Sequence, residues 1–331
     1  MTSRSPRRFS RSLKAAVLAT ACAAAAISGL ALAGKPGGGG GKTTTWTVRL
    51  QGIGDSIMQG YNATCTGNTS FVDLLCYSGG EQPENSFFDG TSTAVVSLAD
   101  RFIAAGASTT YSKAASQSGS EMVGGSNNFQ TQATAIVNSV RKPVQVKVEL
   151  GGNDICNRTS TAGMYTDDQW RTAVRNGLNV LTQRLPDGSS VVLVGVPRVQ
   201  DLYAVGLAKG SSRVDCPSFW DTYDVCEIAT VNSDMGGQSL AARLPIIGER
   251  QAAYNAILVE QAAAYNALAA QTRVEVVAET DGTYPAGSTE VGSYSFSTSE
   301  INGGDCFHPS IAGQNKVSTV VWDNDRFTTR P

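Results

Sequence analysis

Histidine is nearly absent from this chain of 331 residues: there is one, His308. No CxxC pair occurs, so the histidine- and cysteine-rich ligand sets of zinc sites are excluded and no metal is expected. Only 16% of residues are charged. There is no basic run of the kind that grips phosphate backbones, so nucleic acid is not an expected partner. Long apolar runs are confined to one place, Ala15–Ala33, at the N-terminus. That segment is alanine-rich and broken by Thr20 and Ser28, which is weakly apolar for a membrane span. It comes after five basic residues (Arg4, Arg7, Arg8, Arg11, Lys14) with no acid among them, and it ends in Ala31-Leu32-Ala33. Basic start, apolar middle and small-x-small end make residues 1–33 a signal peptide, with no stable membrane span after its cleavage. The Arg7-Arg8 pair hints at twin-arginine export, but the residues after it fit that motif poorly. Cys22 lacks the upstream leucine of a lipoprotein site, since Ala19 stands there. Without the leader, 21 basic residues face 28 acidic ones, a weakly acidic body.

Six cysteines outlast the leader: Cys65, Cys76, Cys156, Cys216, Cys226 and Cys306. An even count in an exported chain points to three disulfides, with fifteen pairings open. The near neighbours Cys65–Cys76 and Cys216–Cys226 would each pin a loop, which leaves Cys156 for Cys306. Sequential pairing, Cys156–Cys216 with Cys226–Cys306, is the rival.

Residues 34–45 form a glycine-rich linker, and the expected domain is 46–331. Gly41-Lys42-Thr43 imitates the end of a phosphate-binding loop, but Pro36 stands where the first glycine belongs, and no strand precedes it. Beyond the linker, strand and helix patterns alternate. Strands are expected at 46–53, 109–114, 144–150, 190–196 and 274–278. Helices are expected at 92–105, 129–140, 166–185, 249–270 and 311–322. Such alternation specifies an α/β chain with a parallel sheet covered by helices on both faces. Residues 60–90 and 198–245 read as insertions over one end of the sheet.

Three short strings carry chemistry. The first strand runs into Gly54-Asp55-Ser56, so a serine hydroxyl sits on a turn at the sheet's carboxyl edge, where open α/β sheets bind ligands. The third strand ends in Gly151-Gly152-Asn153-Asp154, which offers a side-chain amide at the same edge. Near the C-terminus, Asp305-Cys306-Phe307-His308 sets a carboxylate three residues before the lone imidazole. Serine acyl transfer needs such a base and such an orienting acid. The bland alternatives are an ordinary turn, an Asn-Asp turn and a structural histidine.

The order GDS, GxND, DxxH resembles the SGNH hydrolase superfamily, the GDSL-like lipases and esterases, from about Trp46 to Trp322. The family's second block supplies a glycine, and Ala115-Ser116-Gln117-Ser118-Gly119 matches it best, although Gly124 and Gly125 lie nearby. The first block reads GDSI rather than GDSL. The cysteines inside GGNDIC and DCFHPS resemble phospholipase B-type and actinobacterial lipase members. The resemblance implies a three-layer α/β/α sandwich of flavodoxin-like type, with about five strands in the order 2-1-3-4-5. It implies Ser56 as nucleophile, His308 as base and Asp305 as its orienting acid. The oxyanion hole would be the N–H groups of Ser56 and Gly119 with the Asn153 amide, and no cofactor is needed. Since these loops would meet, Cys156 and Cys306 are expected to bond across the site.

The expected function is a secreted or periplasmic esterase or lipase, acting on a small or polymeric ester through an acyl-enzyme. A carbohydrate acetylesterase is the alternative. An acyltransferase would use the same residues with water excluded. A non-catalytic binding protein on this scaffold would ordinarily lack a reactive group, and all are present. The aromatics Phe219, Trp220 and Tyr223 would line an acyl pocket, form a sugar platform, or make a small core under a stapled loop.

Overall fold

Val48, Leu50 and Ile53 project from the first strand into the core, and all four residues of the fourth strand, SVVL, are buried. Strands buried on both faces belong to the interior of a parallel sheet. The computed structural model of the chain describes residues 46–67, 80–210, 215–278, 295–325 and 327–328. The expected signal peptide and linker lie outside them. The strands are β1 (Trp46–Gly54), β2 (Ala107–Ser112), β3 (Gln145–Glu149), β4 (Ser190–Leu193) and β5 (Glu275–Ala278). The α-helices among the described residues are α1 (Leu98–Ala104), α2 (Phe129–Ser139), α3 (Gly152–Cys156), α4 (Asp167–Arg184) and α5 (Leu202–Lys209), followed by α6 (Cys216–Tyr223), α7 (Glu227–Thr230), α8 (Leu240–Asn266), α9 (Ala269–Thr272) and α10 (Ile311–Asn324).

All pairings are parallel and the order is β2-β1-β3-β4-β5, the topology expected. The chain leaves β1 toward one edge to make β2, then returns past it to make β3. Right-handed crossovers of opposite direction set their helices on opposite faces. Accordingly, Phe102 of α1 lies between Trp46 of β1 and Trp322 of α10, with centroids 5.9 and 4.9 Å away. In the other layer Trp170 of α4 stacks on Tyr254 of α8 at 3.9 Å and donates its indole N–H to the Tyr254 carbonyl. The reversal of strand order opens a crevice between the carboxyl ends of β1 and β3, the place where such sheets bind ligands.

Helix boundaries differ from expectation where side chains took backbone partners. The helix expected from Ser92 starts at Leu98, because Ser97 and Asp100 form a capping box and the Val96 N–H goes to Asn315 Oδ1. The helix expected from 249 starts at Leu240. Pro245 in its second turn is tolerated, close to the end where intrahelical N–H bonds are missing anyway. Residues 198–245, read as an insertion, hold α5, α6 and α7. Arg243, fully buried on α8, donates to the carbonyls of Ile228, Val231, Ser233 and Gln238 and so holds that segment down.

Candidate active site

Gly54 is the last residue of β1, and its register partner on β3 is Glu149. Both strands therefore end together, and the turn after each of them enters the crevice. After β1 the chain folds into successive turns: the Gln59 N–H reaches the Asp55 carbonyl and the Tyr61 N–H the Ser56 carbonyl. Asp55 Oδ1 accepts from the Ile57 N–H at 2.9 Å, which fixes the turn that carries Ser56. After β3, Gly151 adopts φ 129°, and a Cβ there would lie 2.5 Å from Val196 Cγ2. Only glycine fits that bend. It starts α3 abruptly and brings Asn153 over the crevice. The Asn153 amide donates to Asp55 Oδ2 at 3.2 Å and to the Ser120 carbonyl at 3.0 Å. Gly119, at φ 82°, lines the same groove as Ser56 and Asn153.

The third string lies on a loop that closes on itself. The Asn302 N–H and side-chain amide both donate to the His308 carbonyl, and Asn302 Oδ1 accepts from the N–H groups of Gly304 and Asp305. The loop delivers His308 with Nε2 2.8 Å from Ser56 Oγ and Nδ1 2.8 Å from Asp305 Oδ2. Burial pushes the Asp305 carboxyl up. The charge and N–H groups of His308 and the Asn62 amide outweigh it and hold Asp305 at about 2. Its Oδ1 accepts from Asn302 Nδ2 and from the Phe307 and His308 N–H groups, and its Oδ2 also accepts from Asn62 Nδ2. An ionised carboxylate on Nδ1 selects the tautomer with its proton there. Nε2 is then the acceptor facing the Ser56 hydroxyl.

The structure thus brings Ser56, His308, Asp305, Asn153 and Gly119 to one crevice. Asn62 and Asn302 were not singled out by sequence, and Trp220 was named only as one of the three aromatics between Cys216 and Cys226. Trp220 is fully buried and donates its indole N–H to the Asp305 carbonyl at 3.0 Å. The Asx pattern at Asn302, three residues before Asp305, was the available signal. Asn62 carried none.

The expected disulfides are corrected. Cys156 pairs with Cys226, and Cys216 pairs with Cys306. Neither Cys216–Cys226, nor Cys156–Cys306, nor the sequential alternative forms. Cys65 is disulfide-bonded, and Cys76 lies outside the described residues. The reason is α6, which neither pairing scheme took into account. It stands beside the crevice with a cysteine at its start and another just past its end. One bonds the loop of His308 and the other bonds the end of α3. The three aromatics of α6 divide accordingly: Trp220 is core, while Phe219 and Tyr223 line the groove.

Behind the nucleophile turn lies a pair of buried acids. Burial, partly offset by the Ile57 N–H and the charge of His308, raises Asp55 to about 6. Burial and then the Asp55 charge push Glu149 well up. Two neighbouring buried carboxyls do not both ionise readily, and Glu149, pushed the further, keeps the proton. One consequence is measurable. The folded state keeps the Glu149 proton while the unfolded chain releases it above its ordinary value of 4.5. Stability therefore falls as pH rises, by up to about 1.4 kcal/mol per pH unit from this one proton. Glu149→Gln keeps a donor toward Asp55 and has no proton to lose. In urea unfolding between pH 5 and 9 the variant is expected to gain on the wild type steadily as pH rises. Equal slopes would show that Glu149 is ionised in the fold.

Among the described residues no group of three or more metal-ligating side chains is found, and no helix is long and apolar enough to cross a membrane. No curated protein matches the chain. Among solved structures, one described as "The active site of a carbohydrate esterase displays divergent catalytic and non-catalytic binding functions" is similar at 11% identity. It has a TM-score of 0.37, with 83% of this chain and 66% of that one covered. Two other crystal structures are similar at 11% identity. Their TM-scores are 0.43 and 0.38, with 83% and 86% of this chain and 95% and 97% of theirs covered. The family described as GDSL-like Lipase/Acylhydrolase matches residues 52–321, a span holding all three strings and every strand but the start of β1. With that span matched and a hydroxyl, an imidazole and a carboxylate in line at its crevice, the chain belongs to the GDSL-like lipase/acylhydrolase family and is an ester-bond hydrolase.

Proposed function

We propose that the protein is an exported serine esterase that works through an acyl-enzyme, with Ser56 as nucleophile, His308 as general base and acid, and Asp305 as the group that orients the imidazole. The observation that carries this reading is the unbroken line from Ser56 Oγ through His308 to Asp305, both links 2.8 Å long. Ser56 Oγ attacks the ester carbonyl carbon as its proton passes to His308 Nε2. The carbonyl oxygen becomes an oxyanion, met by the N–H groups of Ser56 and Gly119 and by the Asn153 amide, which exchanges its long 3.2 Å bond to Asp55 for the oxyanion. One such donor contributes about 2.7–4 kcal/mol to the transition state. The C–O bond to the alcohol breaks as Nε2 returns the proton to the leaving oxygen. Water then repeats the sequence on the acyl-serine and releases the acid. The bonded cysteines support export, since such bonds persist in oxidising compartments.

A fluorophosphonate probe tests the reading. Ser56 Oγ would bond to phosphorus and expel fluoride, its proton being taken by His308. Mass mapping is expected to find the adduct on the peptide that contains Ser56, and His308→Ala is expected to slow labelling at least a hundredfold. No adduct, or an adduct on another serine, would overturn the assignment.

A further inference from the structure

Two cavities meet at Ser56 and differ in size and chemistry. Beyond the nucleophile, on the β4 side, lies a slot of about 30 Å³ lined mainly by Ile57, Pro197, Val199, Leu202, Phe296 and Phe307. Two charged side chains reach its wall and both are partnered: Arg198 pairs with Asp201 at 2.7 Å, and Asp55 accepts from the Ile57 N–H and the Asn153 amide, so the rest of the lining is mainly apolar. On the other side an open groove of about 520 Å³ runs past Gly119 and Asn157 to Phe219, Tyr223 and Asp224. Ser56, Asn153 and His308 border both.

We propose that the site hydrolyses short acyl esters, acetyl above all, carried on carbohydrate alcohols. The proposal rests on Ser56 being the nucleophile and assigns the two halves of its substrate. An ester carbonyl held at Ser56 has an acyl chain on one side and an alkoxy oxygen on the other. The alkoxy oxygen must lie near His308, leave into water, and make room for the water that frees the acid. Only the groove is open enough for that exchange, so the acyl group takes the slot. A cavity of about 30 Å³ holds roughly two or three water-sized groups. A methyl or ethyl fits, and an octanoyl tail does not.

The groove supplies what a sugar needs. Phe219 and Tyr223 stand four apart on α6, hence on one helix face, with ring centroids 4.5 Å apart. Tyr223 is 53% exposed. An exposed ring offers a flat apolar body with a polar tip, suited to the C–H face and the hydroxyls of a pyranose. Asn157 and Asp224 add polar groups to the groove lining. The platform is held still: Cys216 at the start of α6 is bonded to Cys306, and Cys226, three residues past its end, to Cys156. A rigid platform loses little freedom on binding.

The test compares p-nitrophenyl acetate, butyrate and octanoate, and then acetylated xylo-oligosaccharides, on the full chain and two variants. Expected is a kcat/KM for acetate at least tenfold above octanoate. Leu202→Ala is expected to reduce that ratio by lengthening the slot. Tyr223→Ala is expected to raise KM for the acetylated oligosaccharide about tenfold more than KM for p-nitrophenyl acetate. Preference for octanoate, or equal effects of Tyr223→Ala on both substrates, would overturn the substrate assignment while leaving the nucleophile intact. Absence of hydrolysis of any ester, together with no fluorophosphonate adduct, would instead remove the reading of Ser56 beneath it.

Discussion

Replacing Ser56 with alanine is expected to lower kcat for ester hydrolysis by roughly 10⁴–10⁶-fold, the range for a nucleophile that acts as one unit with its base. The hydroxyl is the group placed on His308 Nε2, 2.8 Å away. Its partner imidazole is fixed from the far side by Asp305, so no second hydroxyl can be served by a swing of the ring without breaking that bond. Because the unit acts as a whole, Ser56→Ala/His308→Ala is expected to be no worse than either single change. Asp305→Asn, which disturbs the tautomer while keeping the shape, is expected to cost roughly 10⁴-fold. Fold stability is expected to move little in Ser56→Ala, within about 0.5–1 kcal/mol, since one hydrogen bond at the crevice mouth is lost and no core volume. Steady-state kinetics beside urea unfolding separates the two effects. Activity above a tenth of wild type, with the protein still folded, contradicts the role given to Ser56.

The sequence made the sheet legible because the inner strands of a doubly covered parallel sheet are mainly apolar and each crossover helix repeats its apolar face, while the edge strand β2, ASTTYS, is largely exposed and polar. It made the three strings legible because each is short and sits at a strand end or on one loop. What it hid is tertiary. In VQVKVEL the alternation of Gln145, Lys147 and Glu149 with valines looks like a strand with one wet face, yet Lys147 and Glu149 are both buried. Helices cover that face too. Each is accounted for by a remote residue: Lys147 pairs with Asp325 just past α10, and Glu149 is kept protonated by burial and by the charge of Asp55. A partner 178 residues away leaves no local pattern. The same holds for Asn62, whose amide reaches Asp305 from a glycine-rich segment. The disulfides failed for a related reason. Neighbouring cysteines were expected to close their own loop, but α6 holds them apart at its two ends, and each found a cysteine that the fold, not the spacing, brought near.

Reduction of those two bridges is the other large effect expected. Cys156–Cys226 and Cys216–Cys306 close loops of 70 and 90 residues, and the loss of loop-closure entropy on unfolding makes each worth about 4 kcal/mol alone. The loops overlap between residues 216 and 226, so the second bond constrains a chain already shortened by the first, and the two together contribute less than their sum. Even so the total is comparable to the whole stability of a typical domain, about 5–15 kcal/mol. Treatment with a phosphine reductant is therefore expected to lower the urea midpoint sharply. Paired serine replacement, Cys216→Ser with Cys306→Ser, is expected to lower kcat as well as stability, because Cys306 stands two residues before His308 and that bond anchors its loop to α6 beside the Trp220–Asp305 contact. Replacing Cys156 and Cys226 together is expected to act at the other end, on the short helix of Asn153, and to reduce kcat while Ser56 still takes the fluorophosphonate. Peptide mapping without reduction checks the premise: fragments joining Cys156 to Cys226 and Cys216 to Cys306 are required, and a fragment in which Cys216 and Cys226 close on each other would leave α6 untied from both halves of the site.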